Sequence, residues 1–358
     1  MTLTFRLFAS LVLLGALLMV NAGSPARSAP PSFGPGADRI AATGQWFLNW
    51  EDGKKDISLQ FRITRGHDHD SWGSQNVKLE SLDGLSLDET GPVEFRVQRD
   101  AGTFFLRGSL ADEKGAGTFE LVLDSQFAAE LERRGIGRPT EDQQIDLALA
   151  DMSMQLLDDF KQLGYDKPDV ALLVRCAQHG VNRPYVKGMG ELGLQLSSIE
   201  QLIEARDHGV DPHFIRGMQE AGYQGLDYAE LLRARDHGAD PNYIAGMKEL
   251  GFDLGSLNQV IEARDHGVDP HYVQAMATAG YHDVGLKRLI QARDHGVDPS
   301  WVSAMKKAGY SEMTLEDAIR ARDHGVDGRY ANYVNRSVGR QVTLNELIRY
   351  RDQGWSPD

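Results

Sequence analysis

A histidine returns at one constant interval along the second half of the chain, at His179, His208, His237, His266, His295 and His324. It sits within Ala205-Arg206-Asp207-His208-Gly209-Val210-Asp211-Pro212, which recurs as Ala234 to Pro241, Ala263 to Pro270 and Ala292 to Pro299. A further copy, Ala321 to Gly328, ends in Gly, and the next step lands on Gln353. A fixed period of this length marks stacked units, each too small to bury its own apolar face.

Each unit reads as two short helices. Asp169, Ser198, Asp227, Ser256, Thr314 and Thr343 stand as N-caps of the first, with Gly285 the weak copy. Gln201, Glu230, Gln259 and Glu346 complete capping boxes. Ile199, Leu202 and Ile203 form an apolar stripe, and Gly209 supplies the left-handed stop. Asp211 then caps the second helix, with Pro212 in its first turn and Phe214, Ile215 and Met218 as its buried face. Tyr185, Phe214, Tyr243, Tyr272, Trp301 and Tyr330 make an aromatic ladder, expected in the core.

The upstream chain differs. Arg6 and the apolar run Leu7 to Val20 resemble a cleavable signal peptide over residues 1–22, too short to cross a bilayer. Residues 23–43 are rich in Pro, Gly, Ser and Ala and read as a linker. Alternating stretches such as Ile57-Ser58-Leu59-Gln60-Phe61-Arg62-Ile63, with turn signals at Asp52-Gly53, Ala101-Gly102 and Lys114 to Gly117, predict strands. The expected fold class is α+β. An antiparallel β-meander over 44–124, as a small sandwich or open barrel, leads through a helical connector at 125–165 into an α-solenoid of two-helix repeats over 166–358. Within the connector, Thr140 opens a helix expected to run to about Leu163.

Charge narrows the function. The net charge is −14, and from Asp169 onward 21 Lys and Arg stand against 27 Asp and Glu, so neither half offers the cationic face a nucleic acid needs. Cys176 is the only cysteine; it takes a position held elsewhere by Ala and reads as a core residue. No nucleophile elbow, P-loop, dinucleotide fingerprint or Cys–His pair is present, so a non-enzymatic protein without cofactor is expected.

Val268-Asp269-Pro270-His271-Tyr272-Val273, followed by Met276 and Ala279-Gly280-Tyr281, resembles a helical repeat of bacterial envelope proteins. That repeat also extends membrane metallopeptidase sensors of the BlaR type. The resemblance covers about Asp169 to Asp358, and the segment from Trp46 to Leu123 resembles the N-terminal part of secreted members. It implies export, to the periplasm or beyond, and carries no ligand. The His-Glu-x-x-His motif of those peptidases is absent, so no peptidase activity transfers.

Three groups of residues are candidates for function. The Arg-Asp-His triplets (Arg206, Asp207, His208; Arg235, Asp236, His237; Arg264, Asp265, His266; Arg293, Asp294, His295; Arg322, Asp323, His324) are read as a structural ladder on the buried side of the first helices. In it the Asp of one unit would pair with the Arg of the next. On the second helices, His213, Arg216, Glu220, Asn242, Glu249, His271, Gln274, Ser300, Ser303, Lys306 and Lys307 are variable and fall at i, i+3, i+6 and i+7 spacings. They form an exposed stripe suited to binding another protein, one expected in the cell envelope. His67, Asp68, His69 and Asp70 are weak metal candidates in a loop. The alternative reading is a glycan-binding β domain, with Trp46, Trp50 and Trp72 on its surface and the repeats as a spacer.

Overall fold

A computed structural model describes residues 39–50, 57–65, 69–88, 90–194 and 196–355. The signal segment, most of the linker, the Asp52-Gly53 turn, and His67 and Asp68 lie outside the described residues. Six strands come first: β1 (Ile40–Asn49), β2 (Ile57–Arg65), β3 (His69–Val77), β4 (Gly91–Arg99), β5 (Gly102–Ala111) and β6 (Lys114–Leu123). They form one antiparallel sheet in the order β3-β2-β1-β6-β5-β4, so two three-strand meanders join through β1 and β6. β1 begins at Ile40, inside the stretch expected to be linker.

The sheet is curled into a half-barrel. Phe61 on β2 and Phe104 on β5 are separated by two intervening strands, about 14 Å on a flat sheet at ~4.8 Å per strand. Their rings nevertheless stack at 4.3 Å between centroids. Phe119 fills the same core edge-on to both rings. Trp46 is fully buried and its Nε1–H donates to the Arg107 carbonyl at 3.1 Å, so this side chain is no sugar platform. Trp50 is half-buried against the core, and the side chain of Trp72 lies outside the described residues. Gly115 and Gly117 are part of β6 and not of a turn: a Cβ on either would stand 2.8 and 2.7 Å from the Trp46 indole. The β5–β6 turn is Asp112-Glu113, both at positive φ (49° and 62°), the backbone of a type I′ hairpin without glycine.

After α1 (Ser125–Arg133) the helices come in pairs: α2 (Glu141–Leu149) and α3 (Met154–Gln162), α4 (Val170–Gln178) and α5 (Arg183–Glu191), α6 (Ile199–Asp207) and α7 (Pro212–Glu220), α8 (Tyr228–Asp236) and α9 (Pro241–Glu249). The series continues with α10 (Leu257–Asp265) and α11 (Pro270–Thr278), α12 (Leu286–Asp294) and α13 (Pro299–Lys307), α14 (Leu315–Asp323) and α15 (Gly328–Val338), then α16 (Leu344–Asp352). The second helices of successive units pack on one another from α3 to α15, forming one continuous layer.

The connector is therefore not one helix from Thr140 to Leu163. Thr140 stands one full period before the Asp169 cap and makes a complete capping box with Gln143. Asp151, at φ 55°, occupies the left-handed position that Gly209 holds, and Ser153 caps α3 as Asp211 caps α7. The array starts one unit earlier than its histidines show.

Local rules account for each unit's form. At the end of α6 the Gly209 N–H bonds the Arg206 carbonyl at 3.0 Å and the Val210 N–H bonds that of Ala205 at 2.8 Å, a Schellman stop. Capping boxes form at Asp227, Ser256, Thr314 and Thr343, whereas Gln201 turns to the Ser197 N–H at 2.9 Å and leaves Ser198 with a half box. Gly285 caps α12 without a side chain, as expected.

The sheet docks on α2. Arg99, on the inner face of β4, is 7% exposed and its Nη1 donates to the Ala148 and Leu149 carbonyls at 2.6 and 2.8 Å. It lies between the Phe61 and Phe104 rings at 5.2 Å from each. Burial lowers its pKa to about 10, opposed by Asp151 nearby. Gln144, also buried, donates to the Ala101 and Asp124 carbonyls.

Candidate interaction surface

Three kinds of contact recur across the seams between units. The aromatic of each second helix from Tyr185 to Tyr330 is buried, and in four of these six the polar tip reaches the carbonyl after the next unit's glycine. Tyr185, Tyr243 and Tyr272 donate to Val210, Val268 and Val297 at 3.1, 2.7 and 2.9 Å, and Trp301 Nε1 to Val326 at 3.0 Å. Burial pushes the Tyr243 and Tyr272 hydroxyls up to about 12. These side chains belong to the core.

The ladder differs from the expected Arg–Asp pairing. Arg206, Arg235, Arg264 and Arg293 lie over the rings of Tyr185, Phe214, Tyr243 and Tyr272 in the preceding unit, at 4.9 to 5.2 Å. Arg235 and Arg322 also donate through Nε to the carbonyls of Gly209 and Gly296, both at 3.0 Å. The aspartates instead face solvent and accept from the histidine of the preceding unit. His179, His208, His237, His266, His295 and His324 each place Nδ1 2.5 to 2.7 Å from Oδ1 of Asp207, Asp236, Asp265, Asp294, Asp323 and Asp352. The physical reason is position along the helix. The Asp is the last helical residue and leaves at the rim, while the Arg one residue earlier lies across the seam over the buried aromatic ring. Neither is on the buried side, since Arg235, Arg264 and Arg293 are exposed and Arg206 and Arg322 half-buried. Hydrogen bonds to Asp236 and Asp294 raise the pKa of His208 and His266.

Among the described residues no group of His, Cys, Asp and Glu could hold a metal ion. His69 and Asp70 begin strand β3 and are not in a loop; their side chains lie outside the described residues. Cys176 is buried and its thiol is pushed up to about 12, so it is not a reactive thiolate.

The second-helix stripe is on the surface. His213, Arg216, Glu220, Asn242, Glu249, His271, Gln274, Ser300, Ser303 and Lys307 are exposed, and Lys306 is half-buried. Between α11 and α13 the stripe becomes a groove of about 750 Å³, lined among others by His271, Gln274, Thr278, Ser303, Lys306 and Lys307.

A Cβ on Gly188, Gly217 or Gly246 would lie 2.6 to 2.8 Å from the ring of Pro212, Pro241 or Pro270 in the next unit. At the following seam Ala275 and Pro299 hold the equivalent positions, and both line the groove. The last seam reverses the pair: Gly328 replaces proline, and a Cβ on it would stand 2.5 Å from the Ala304 carbonyl oxygen.

One feature of the face is not evident from any single unit of the sequence. At one register, a full period apart each time, stand Glu191, Glu220, Glu249, Thr278, Lys307 and Arg336, changing from acidic to basic along the array. Aligning the units vertically is the signal that finds it. Among the described residues no helix is long and apolar enough to cross a membrane. Comparison with protein-family models, with curated proteins and with solved structures finds no match to this chain.

Proposed function

We propose that this is an exported, non-enzymatic interaction protein that binds another protein through the second-helix layer of its array. The observation that carries the reading is the split between the two kinds of position on those helices. Positions at the seams repeat and are occupied by structural contacts, whereas the exposed stripe varies from unit to unit and runs into the α11–α13 groove. Solenoids recognise partners on such extended surfaces, because a rigid stack presents many side chains in fixed register. The Arg99 and Gln144 contacts give the sheet the role of an end cap that holds the first unit in place.

The test is a photo-crosslinking amino acid placed at Ser303, with Glu262 on the outer face of α10 as the control, in cells that make the protein. A defined protein adduct from Ser303 and none from Glu262 supports the reading. Equal labelling at both positions, or adducts at neither, would falsify it.

A further inference from the structure

We infer that the partner segment seated on this face is an acidic stretch of polypeptide, held in the α11–α13 groove and across α15. The inference rests on the binding reading above and names its chemistry. Helices α5, α7 and α9 each end in glutamate, at Glu191, Glu220 and Glu249. Helices α11, α13 and α15 contain no Asp or Glu and carry Lys306, Lys307, Arg329 and Arg336. Lys307, Arg329 and Arg336 are exposed.

Among the described residues no acidic side chain lines the groove. The aspartate caps Asp269 and Asp298 adjoin the groove's far end, next to His271 and Pro299, where their carboxylates accept from the Tyr272, Ser300 and Trp301 N–H groups. The helix ends that carry Lys306 and Lys307 lie about 13 Å from them at 1.5 Å per residue. Asp283 and Glu312 lie in the loops beyond the helix ends. In a chain of net charge −14, the cationic ends of these helices are a local reversal of sign that draws a negative segment and repels the protein's own surface. The face is also bounded. Glu249 and Glu220 on the adjoining helices end it on one side, which suits a short acidic stretch better than a long polyanion, whose binding needs an extended cationic track. Ala275, Ala279 and Pro299 line the same groove as Lys306 and Lys307 and supply apolar surface for the stems of glutamate side chains.

The test uses the full chain and fluorescein-labelled octaglutamate, read by anisotropy at low and physiological ionic strength. Binding that weakens with salt, falls about tenfold or more in K306E/K307E and rises in E220K/E249K is the expected result. The exposed pair K307E/R336E repeats the measurement in case Lys306 contributes to folding, with thermal melts as the check. No binding by the wild-type chain, or binding that all variants retain, overturns the inference. So does displacement of the peptide by inorganic polyphosphate or anionic vesicles at equal charge, which would mark bare charge as the determinant. If Ser303 still crosslinks one protein while octaglutamate does not bind, the acidic partner falls and the scaffold reading stands. If octaglutamate binds and Ser303 labels nothing in cells, the scaffold reading falls and takes the partner with it.

Discussion

His208 Nδ1 lies 2.6 Å from Oδ1 of Asp236, in the next unit of the array. Both side chains are 40 to 50% exposed, so each pair is individually weak, on the order of 0.5 kcal/mol. Six such pairs cross consecutive seams from His179 to Asp352, and their sum bears on the array as a whole.

For the His208 and His266 pairs the sign of the pH dependence follows from the raised histidine pKa. His208 faces Asp236, Glu204 and Asp207, and His266 faces Asp294, Glu262 and Asp265. The stabilisation is complete below the ordinary histidine value of about 6.5 and is lost as pH rises through the raised folded value. The Tm difference between wild type and His208→Asn/His266→Asn should therefore be largest near pH 6 and shrink by pH 8.5. A gap constant across that range would show that the imidazoles act only by shape.

Tyr243→Phe should cost about 1 kcal/mol, because the buried Val268 carbonyl loses its donor. Tyr330→Phe should be close to neutral, since among the described residues the Tyr330 hydroxyl is buried without a partner. Urea unfolding of the two variants side by side checks this, and equal losses would contradict it.

Arg235 both stacks on Phe214 and donates Nε to Gly209. Lysine cannot do the two at once, so Arg235→Lys should destabilise by about 1 to 2 kcal/mol although charge is kept. A denaturation midpoint unchanged from wild type would mean the guanidinium geometry contributes nothing.

Arg99→Ala removes the donor that satisfies the Ala148 and Leu149 carbonyls and leaves a cavity between Phe61 and Phe104. A loss of about 3 kcal/mol or more is expected. It should show first as faster amide exchange in α2 and α3. Exchange that rises only within the sheet would place the effect in the β core and not at its docking surface.

The units are legible in the sequence because Gly209, Asp211 and Pro212 each do a local job that only a few residue types can do, and those jobs recur at fixed spacing. The first unit is hidden because Asp151 takes a left-handed backbone usually marked by glycine, and Ala150 stands where the histidine would be. The β1–β6 pairing is not legible from hairpin signals, which report only neighbours in sequence; its trace is the glycines that make room for Trp46. The ladder's residues stand out by their recurrence, but their pairing does not, since helical phase alone does not say that Asp207 leaves at the rim. The exposed stripe is readable from variability among units. Its change of charge can be read from the same comparison of units, at the register of Glu220, Glu249, Thr278 and Lys307, but that these side chains lie together on one exposed layer comes from the packing of the second helices.

The glycine–proline seams have a consequence for how long such a chain can be. Units bounded by Pro212, Pro241 and Pro270 meet their neighbours through the same mating surfaces, so removing residues 212–240 brings Pro241 against Gly188 in an equivalent joint. Beyond Ala275 the joints are singular, and a unit moved there meets a surface cut for another shape. The array thus has an interchangeable middle and a bespoke end. Duplication or deletion can alter its reach through the middle without touching the end that carries the groove.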